Sequence, residues 1–172
     1  MRLALTVPFL AACEAAAPPA SPAIRILPLL IFAVVVATDL FDGWVARQKG
    51  TASGRGQLFD HGADVLFIGS SLVLFAAKQR VSWWIPVAVT GAVVSYARDL
   101  WRDARCAAGV QVGRSALGHA AGVANYTLVG LLATDVSLPG AVPDWLVRMV
   151  ARLTAGMNAL AVTGRMWPRR RR

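Results

Sequence analysis

The sequence has few charged residues, only one glutamate and only two cysteines, and each scarcity excludes a class of protein. Charged residues make up 16% of its 172 residues, whereas a soluble domain has about 25%, so a water-soluble enzyme is disfavoured. The same low charge argues against a disordered chain. Cys13 and Cys106 lie in unlike contexts and suggest neither a zinc site nor a disulfide framework. The length suits one domain, over 1–172, and is too short for two.

Most of the charge that is present is basic. Lysine and arginine number 18 against 9 acidic residues, which gives a net charge of +9. Such an excess of basic residues can indicate binding to nucleic acid, but 56% of the residues are hydrophobic. A basic and strongly apolar chain more often lies in or against an anionic membrane leaflet. We therefore expect a lipid bilayer as a partner and no nucleic acid.

Six apolar runs are long enough, or nearly long enough, to cross a bilayer, which takes about 20 residues. They cover residues 3–17, 24–44, 58–77, 83–100, 116–133 and 144–163. The first run is short and the last contains Arg148 and Arg152, so these two runs are the weakest candidates for membrane spans. The pattern predicts an all-α, polytopic membrane protein, a bundle of about six transmembrane helices.

The distribution of basic residues predicts the orientation of these runs. Two of the connections between runs and the carboxyl terminus are rich in arginine and lysine (Arg47, Lys49 and Arg55; Arg98, Arg102, Arg105 and Arg114; Arg165 and Arg169 to Arg172). The alternate connections hold only Arg25, Lys78 and Arg80, and Thr134–Pro143 holds none. The positive-inside rule then places both termini and the basic loops in the cytoplasm. All six tryptophans fall at the predicted membrane boundaries, where indole rings prefer to lie (Trp44, Trp83, Trp84, Trp101, Trp145 and Trp167).

The amino terminus also fits another interpretation. Leu10-Ala-Ala-Cys13, after Arg2 and an apolar stretch, looks like a lipoprotein cleavage site that would make Cys13 a lipidated first residue. The apolar stretch is short, however, and a polytopic body follows it rather than an exported soluble domain. Both interpretations leave residue 24 outside the cell, so the predicted topology after it is the same.

Four of the eight aspartates fall within 26 residues, at the cytoplasmic ends of the second and third runs. They are Asp39, Asp42, Asp60 and Asp64. A carboxylate at that depth costs a few kcal/mol unless it is paired, so such a residue indicates a functional site. Asp39 and Asp42 are three apart and share a helix face, and Asp60 and Asp64 are four apart and do the same. Two helices thus present four carboxylates to one region.

Carboxylate oxygens suit Mg²⁺ or Mn²⁺, and four of them can hold two ions about 4 Å apart. Two such ions stabilise the transfer of a phosphoryl group, and the nearby Arg47 can bind a phosphate. The alternative is a purely structural set of ion pairs among the aspartates, Arg47 and Arg55. From the residues alone, both remain open.

The complete string resembles a known family. The string reads Asp39-Leu-Phe-Asp42-Gly43-Trp-Val-Ala46-Arg47, then eight residues, Gly56, three residues, Asp60, three residues and Asp64. It is similar, without a departure, to the signature of the CDP-alcohol phosphatidyltransferase family (class I). The predicted six-span layout resembles that integral membrane family as well. Because members carry an arginine within their first helix at about the point where this chain begins, the resemblance implies that an amphipathic lead-in is missing or that the start is later than usual.

The resemblance implies a role for each position of the signature. Asp39, Asp42, Asp60 and Asp64 would hold two divalent ions, and Asp64 would also be the catalytic base that deprotonates the acceptor hydroxyl. Gly43 and Arg47 would contact the CDP moiety, and Ser53 would touch the diphosphate. The implied enzyme transfers a phosphatidyl group from CDP-diacylglycerol to an alcohol and releases CMP. Family members are typically homodimers in the inner (cell) membrane, with the active site facing the cytoplasm.

The acceptor alcohol is less clear from the sequence. Members that use glycerol phosphate usually read D-P-x-A-D-K across the last two aspartates, whereas Asp60-His-Gly-Ala-Asp64-Val65 lacks the proline and the lysine. Transfer of a phospho-alcohol from CDP-choline or CDP-ethanolamine to diacylglycerol is the alternative within the family. Outside it, intramembrane carboxylates also occur in divalent-cation transporters, and a noncatalytic membrane partner is a third possibility.

Overall fold

The structure, a computed structural model, describes residues 2–49, 54–105 and 116–166. Those residues form helices joined by short loops, without a strand, which confirms the predicted all-α class for the described part of the chain. The helices are α1 (Arg2–Ala15), α2 (Pro22–Arg25), α3 (Leu27–Lys49), α4 (Gly54–Ala77), α5 (Trp84–Arg105), α6 (Ala116–Ser137) and α7 (Asp144–Met166).

Each of the six apolar runs lies within or overlaps one long helix, and the one-turn α2 leads into α3. Where polar residues follow an apolar run, the helix continues beyond the end of that run. The second run ends at residue 44 but α3 continues to Lys49, and the fourth run ends at 100 but α5 continues to Arg105. Arginine, glutamine, lysine and alanine in these extensions are good helix formers, so loss of hydrophobicity does not end the helix.

The ends of the helices follow from local backbone chemistry. α4 ends in a turn in which Gln79 has a positive φ of 57° and the Arg80 amide donates to the Phe75 carbonyl at 2.9 Å. This bond satisfies a carbonyl that the end of a helix would otherwise leave without a partner. α7 begins after Pro143 with Asp144 in its first turn, where a carboxylate is favoured by the helix dipole.

Side chains from the six long helices share one hydrophobic core, which includes Phe9, Val35, Phe75, Leu128 and Val147 together with Cys13 and Val89. α1 and α6 each pack against both α3 and α4, and α7 packs against α5 and α6. The Cys13 side chain is only 1% exposed in this core. A lipid chain on its sulfur would have to displace that packing, which disfavours the lipoprotein interpretation.

Polar contacts bring the ends of several helices to one level. The Leu29 amide near the start of α3 donates to Ser137 Oγ at the end of α6, at 3.2 Å. Lys78, which follows α4, pairs with Glu14 on α1 at 2.9 Å, and Arg80 pairs with Asp135 on α6 at 2.8 Å. We call this the Glu14 end of the bundle. Long helices that are consecutive in the chain therefore alternate in direction, as the predicted topology requires.

Four aromatic rings fill the space between α3 and α4. Phe9 of α1, Phe32 of α3, Phe67 of α4 and Tyr126 of α6 form a cluster with ring centroids 5.1 to 6.5 Å apart. Gly130 on α6 allows this approach, because a Cβ there would lie 2.8 Å from the Phe32 ring. We refer to these four rings as the aromatic cluster.

A polar contact joins α6 to α7. Asn158 is 2% exposed and donates to Asn125 Oδ1 at 2.9 Å and to the Thr154 carbonyl at 2.8 Å. The two side-chain amides are thus hydrogen-bonded to each other away from solvent, as buried polar groups generally are. Asn125 therefore ties two helices together, whereas His119 on the same helix is exposed.

One helical segment among the described residues, Pro22–Asp42, is both long and apolar enough to cross a membrane, with a mean hydropathy of 2.2. Leu3–Ala15 and Gly62–Ala77 are apolar but shorter. In α5 and α7, arginines and aspartates interrupt the apolar sequence. The six helices are therefore present, while six membrane crossings remain a prediction.

Replacing Gly130 with alanine tests the packing of the aromatic cluster. We expect Gly130→Ala to lower the free energy of unfolding by about 1–2 kcal/mol, because overpacking in a filled core costs about 1–3 kcal/mol and outweighs the gain in helix propensity. The matched control is Gly122→Ala on the same helix, where a Cβ would have no neighbour within 4 Å. Unfolding in detergent, followed by tryptophan fluorescence, should rank Gly130→Ala below the wild type and Gly122→Ala at or above it; the reverse order would contradict the packing argument.

Candidate active site

Two of the predicted site residues lie on the second half of α3. Asp39 is half-buried and Asp42 is exposed, one turn closer to the end of the helix. Their spacing of three residues places them on one side of α3. Asp39 is ten residues beyond Leu29, so it lies about 15 Å along the helix from the Glu14 end.

The third predicted residue, Asp64, is held by a neighbouring helix. The hydroxyl of Tyr126 on α6 donates to Asp64 Oδ1 at 2.5 Å, and both side chains are half-buried. This bond orients the carboxylate of α4 from outside its own helix.

Asp39 and Asp64 lie at about the same depth in the bundle. Tyr126 is eleven residues before Ser137, which places it about 16 Å from the Glu14 end along α6. Asp64, which it contacts, shares that depth, and Asp39 lies at about 15 Å along α3. α3 and α4 both pack against α6. By helix rise, Asp39 on α3 and Asp64 on α4 therefore lie at one level of the bundle.

The aromatic cluster lies directly on the Glu14 side of Asp64. Phe67 follows Asp64 by three residues on α4, and its ring stacks on Tyr126 with centroids 6.3 Å apart. Phe67 is completely buried, and Phe32 stacks on it at 6.5 Å. These rings form an apolar floor beneath the carboxylates, on the Glu14 side of Asp64.

Several predicted site residues cannot be placed. Ser53 lies outside the described residues, and Gly43, Arg47 and Asp60 belong to α3 and α4 but their side chains are outside the described ones. Among the described side chains, no three of histidine, cysteine, aspartate and glutamate form a group that could hold a metal ion. The four-carboxylate metal site, the nucleotide contacts and the alternative ion pairs with Arg47 and Arg55 all stay predictions.

Tyr126 is the site residue that the sequence analysis missed. It lies 62 positions from Asp64 in a helix whose sequence is otherwise unremarkable for chemistry. The one available signal is a phenol within an apolar run, because a buried tyrosine hydroxyl needs a hydrogen-bond partner. Nothing in the sequence names that partner, since the pairing depends on how α4 and α6 pack.

A comparison with protein families identifies the class of this protein. The model of the CDP-alcohol phosphatidyltransferase family matches residues 1–163, nearly the whole chain. The chain therefore belongs to the CDP-alcohol phosphatidyltransferase family, as the motif from Asp39 to Asp64 predicts.

Individual relatives match a shorter stretch. A probable phosphatidylglycerophosphate synthase of Mycobacterium tuberculosis is 37% identical over 67 residues, which are 39% of this chain and 32% of that protein. A CDP-diacylglycerol–glycerol-3-phosphate 3-phosphatidyltransferase of Rickettsia bellii is 34% identical over 61 residues, 36% of this chain and 34% of the relative. The protein of the same name from Yersinia enterocolitica is 39% identical over 56 residues, covering 33% and 30%. The matched stretch thus spans about a third of each relative, and no solved structure matches the chain significantly.

Proposed function

We propose that this protein transfers a phosphatidyl group from CDP-diacylglycerol to an alcohol and releases CMP. One observation carries the proposal: the last carboxylate of an intact family motif, Asp64, is oriented by Tyr126 above an apolar floor. A base that must remove a proton from a hydroxyl needs such a fixed orientation. Membership of the family over residues 1–163 supports the same activity.

Glycerol 3-phosphate is the acceptor that we propose. The three relatives described above carry names that specify glycerol phosphate chemistry. Arg98, on the half of α5 away from the Glu14 end, is exposed and could attract an anionic acceptor. The residues between Asp60 and Val65 depart from the pattern usual for this acceptor, so the choice of alcohol needs a direct test.

We also propose two Mg²⁺ or Mn²⁺ ions as cofactors, held by Asp39, Asp42, Asp60 and Asp64. The donors are all carboxylates, which are the ligands that hard divalent ions prefer. Asp39 and Asp64 share one depth, which is compatible with a common site. When bound, the ions supply positive charge that neutralises the diphosphate and makes CMP a better leaving group.

The chain's own residues then have separate tasks. In the proposed mechanism, Arg47 would bind a phosphate oxygen, and Gly43 and Ser53 would contact the nucleotide and the diphosphate. Asp64 accepts the proton of the acceptor hydroxyl. At the same time, the oxygen of that hydroxyl forms a bond to the phosphorus next to the lipid. The bond from that phosphorus to the CMP oxygen breaks, CMP leaves with the electron pair, and the proton on Asp64 later passes to solvent. Tyr126 is a positioning residue, because it acts through Asp64.

The protein is proposed to cross the inner membrane several times as a homodimer, with Asp42 facing the cytoplasm. Each long helix exposes a large apolar side chain (Val7, Leu30, Leu66, Val87, Val123 and Leu153). Single exposed apolar residues are ordinary on a protein in water, but large ones on every long helix together give an extensive apolar surface, which a bilayer solvates. The basic residues near the Asp42 end agree with the cytoplasmic orientation.

Replacing the proposed base tests the chemistry. Purified protein with Mn²⁺, CDP-diacylglycerol and glycerol 3-phosphate should release CMP, and Asp64→Asn should reduce the rate by at least about 100-fold, because general base catalysis contributes about 10²–10⁴. Asp144→Asn, an exposed carboxylate at the Glu14 end, is the control and should retain the wild-type rate. Chelation of divalent ions should abolish release in both active proteins.

Other results would redirect the assignment. Release from glycerol, serine or inositol but not from glycerol 3-phosphate would overturn the proposed acceptor. Consumption of CDP-choline with diacylglycerol would support the alternative transfer within the family. Uptake of Mn²⁺ into vesicles without any CMP release would contradict the transferase proposal and favour a transporter.

The hydrogen bond to Asp64 predicts a separate effect of Tyr126. We expect Tyr126→Phe to lower kcat by about tenfold, since a base that is free to rotate spends less time in the productive orientation. KM for CDP-diacylglycerol should change little, because the hydroxyl does not touch the nucleotide in the proposed mechanism. Thr127→Val is the control: the Thr127 hydroxyl donates to the Val123 carbonyl in the same helix, at 2.9 Å, and has no bond to Asp64. Equal losses in both variants would show that the effect does not pass through Asp64.

Cysteine labelling tests the membrane arrangement. Ser82 and Gln48 are exposed, and they lie at opposite ends of the bundle. In a background with both native cysteines replaced by alanine, we expect a membrane-impermeant maleimide to label Ser82→Cys in intact spheroplasts and to label Gln48→Cys only after lysis. Labelling of both positions in intact spheroplasts would contradict the proposed orientation.

A further inference from the structure

A cavity of about 930 Å³ opens at the Glu14 end, opposite the candidate active site. It lies between the α4–α5 loop and one side of α7. Three arginines, Arg80, Arg148 and Arg152, line it together with Trp83 and Trp84. None of the lining residues that the structure describes is acidic. A basic, aromatic-edged cavity has no part in the chemistry proposed for Asp64.

The three arginines differ in their partners. Arg80 is paired with Asp135 at 2.8 Å, which fixes its guanidinium at the edge of the cavity. Arg148 and Arg152 are four residues apart on α7, so they share a face and lie about 6 Å apart along the axis. Both are exposed, and within the described residues no carboxylate lies within 4.0 Å of either, although Asp144 is one turn before Arg148. Two positive charges therefore face the cavity unneutralised.

The position of these charges is unusual for the proposed membrane arrangement. The outer side of a membrane protein is poor in basic residues, and a charged residue within a span indicates function. Arg152 lies about 12 Å along α7 from Asp144, at the level of the bilayer or its interface. Trp83 and Trp84 are 56% and 76% exposed and mark the depth at which lipid headgroups lie.

We propose that this cavity binds the phosphate headgroup of an anionic phospholipid of the outer leaflet. Guanidinium groups bind phosphate oxygens in pairs of parallel hydrogen bonds, and two of them can contact the negatively charged phosphodiester of such a lipid together. A cavity of this size can hold a headgroup and the glycerol that follows it. The arginine stems lie along apolar surface while their charged ends reach the headgroup level. The inference rests on the proposed membrane arrangement and not on the transferase chemistry.

A second copy of the chain fits the cavity less well. Pairing with Arg148 and Arg152 would require acidic residues at the same end of the partner. The described acidic side chains there are Glu14, Asp135 and Asp144, and the first two are already in ion pairs. A second copy thus offers one exposed carboxylate, whereas phospholipid phosphates are present at this depth around the whole protein.

Lipid retention by the purified full-length protein tests the proposal. In native mass spectrometry, we expect the wild type to retain phosphatidylglycerol about fivefold more than phosphatidylcholine, and Arg148→Gln and Arg152→Gln each to reduce that retention about fivefold. Lys78→Gln is the matched control, because it removes one positive charge at the same end but outside the cavity. Inorganic phosphate at equal concentration should not displace the lipid.

Several results would overturn the proposal. These are equal retention of the two lipids, unchanged retention in both arginine variants, an equal loss in Lys78→Gln, and displacement by inorganic phosphate, which would indicate a site for the free anion. Arg152→Lys keeps the charge and should retain more lipid than Arg152→Gln, which separates binding from misfolding. CMP release measured in parallel should be unchanged in the arginine variants. If the wild type binds the lipid but releases no CMP, the transferase proposal fails and the lipid site stands.

Discussion

The hydrogen bond between Tyr126 and Asp64 is the contact on which the candidate site depends. It joins α6 to α4 at the depth of Asp39, and the aromatic cluster beneath it keeps that depth dry on one side. A carboxylate on one helix of a loosely packed bundle could adopt several rotamers. Because the phenol ring packs against both Phe32 and Phe67, the orientation of Asp64 depends on the packing of three helices and not on its own backbone alone.

The two ends of the bundle carry different arrangements of charge. The Asp42 end carries the acidic motif among basic residues. The presence of both acidic and basic groups suits the binding of a nucleotide diphosphate. At the Glu14 end, ion pairs and the Leu29–Ser137 hydrogen bond join the helices, and in the described part of the chain no carboxylate pairs with Arg148 or Arg152. Since the aromatic cluster separates these ends, a lipid at one end and a nucleotide at the other would bind without direct contact.

The helices and the motif were readable from the sequence for different physical reasons. Continuous apolar runs locate helices because every backbone group must be satisfied within the helix once water is absent. Their ends were less accurate, as α3 and α5 show, because good helix formers such as arginine, lysine and alanine continue a helix after the hydrophobicity falls. The motif predicted family membership because four carboxylates, two glycines and an arginine at fixed spacing rarely occur together by chance. The prediction of membrane crossing was weaker, because α5 and α7 carry charged residues. The length of an apolar run does not show whether such a helix crosses a membrane.

By itself, the sequence determined the all-helical class, the boundaries of the long helices to within a few residues, and the family signature, since all three depend on residues near one another in the chain. Only the tertiary structure decided that Tyr126 holds Asp64, that Gly130 admits the Phe32 ring, and that Arg148 and Arg152 share a cavity with the α4–α5 loop. Each of these contacts joins residues on different helices. Such contacts depend on the rotation and depth of each helix in the bundle, which packing of the whole core sets.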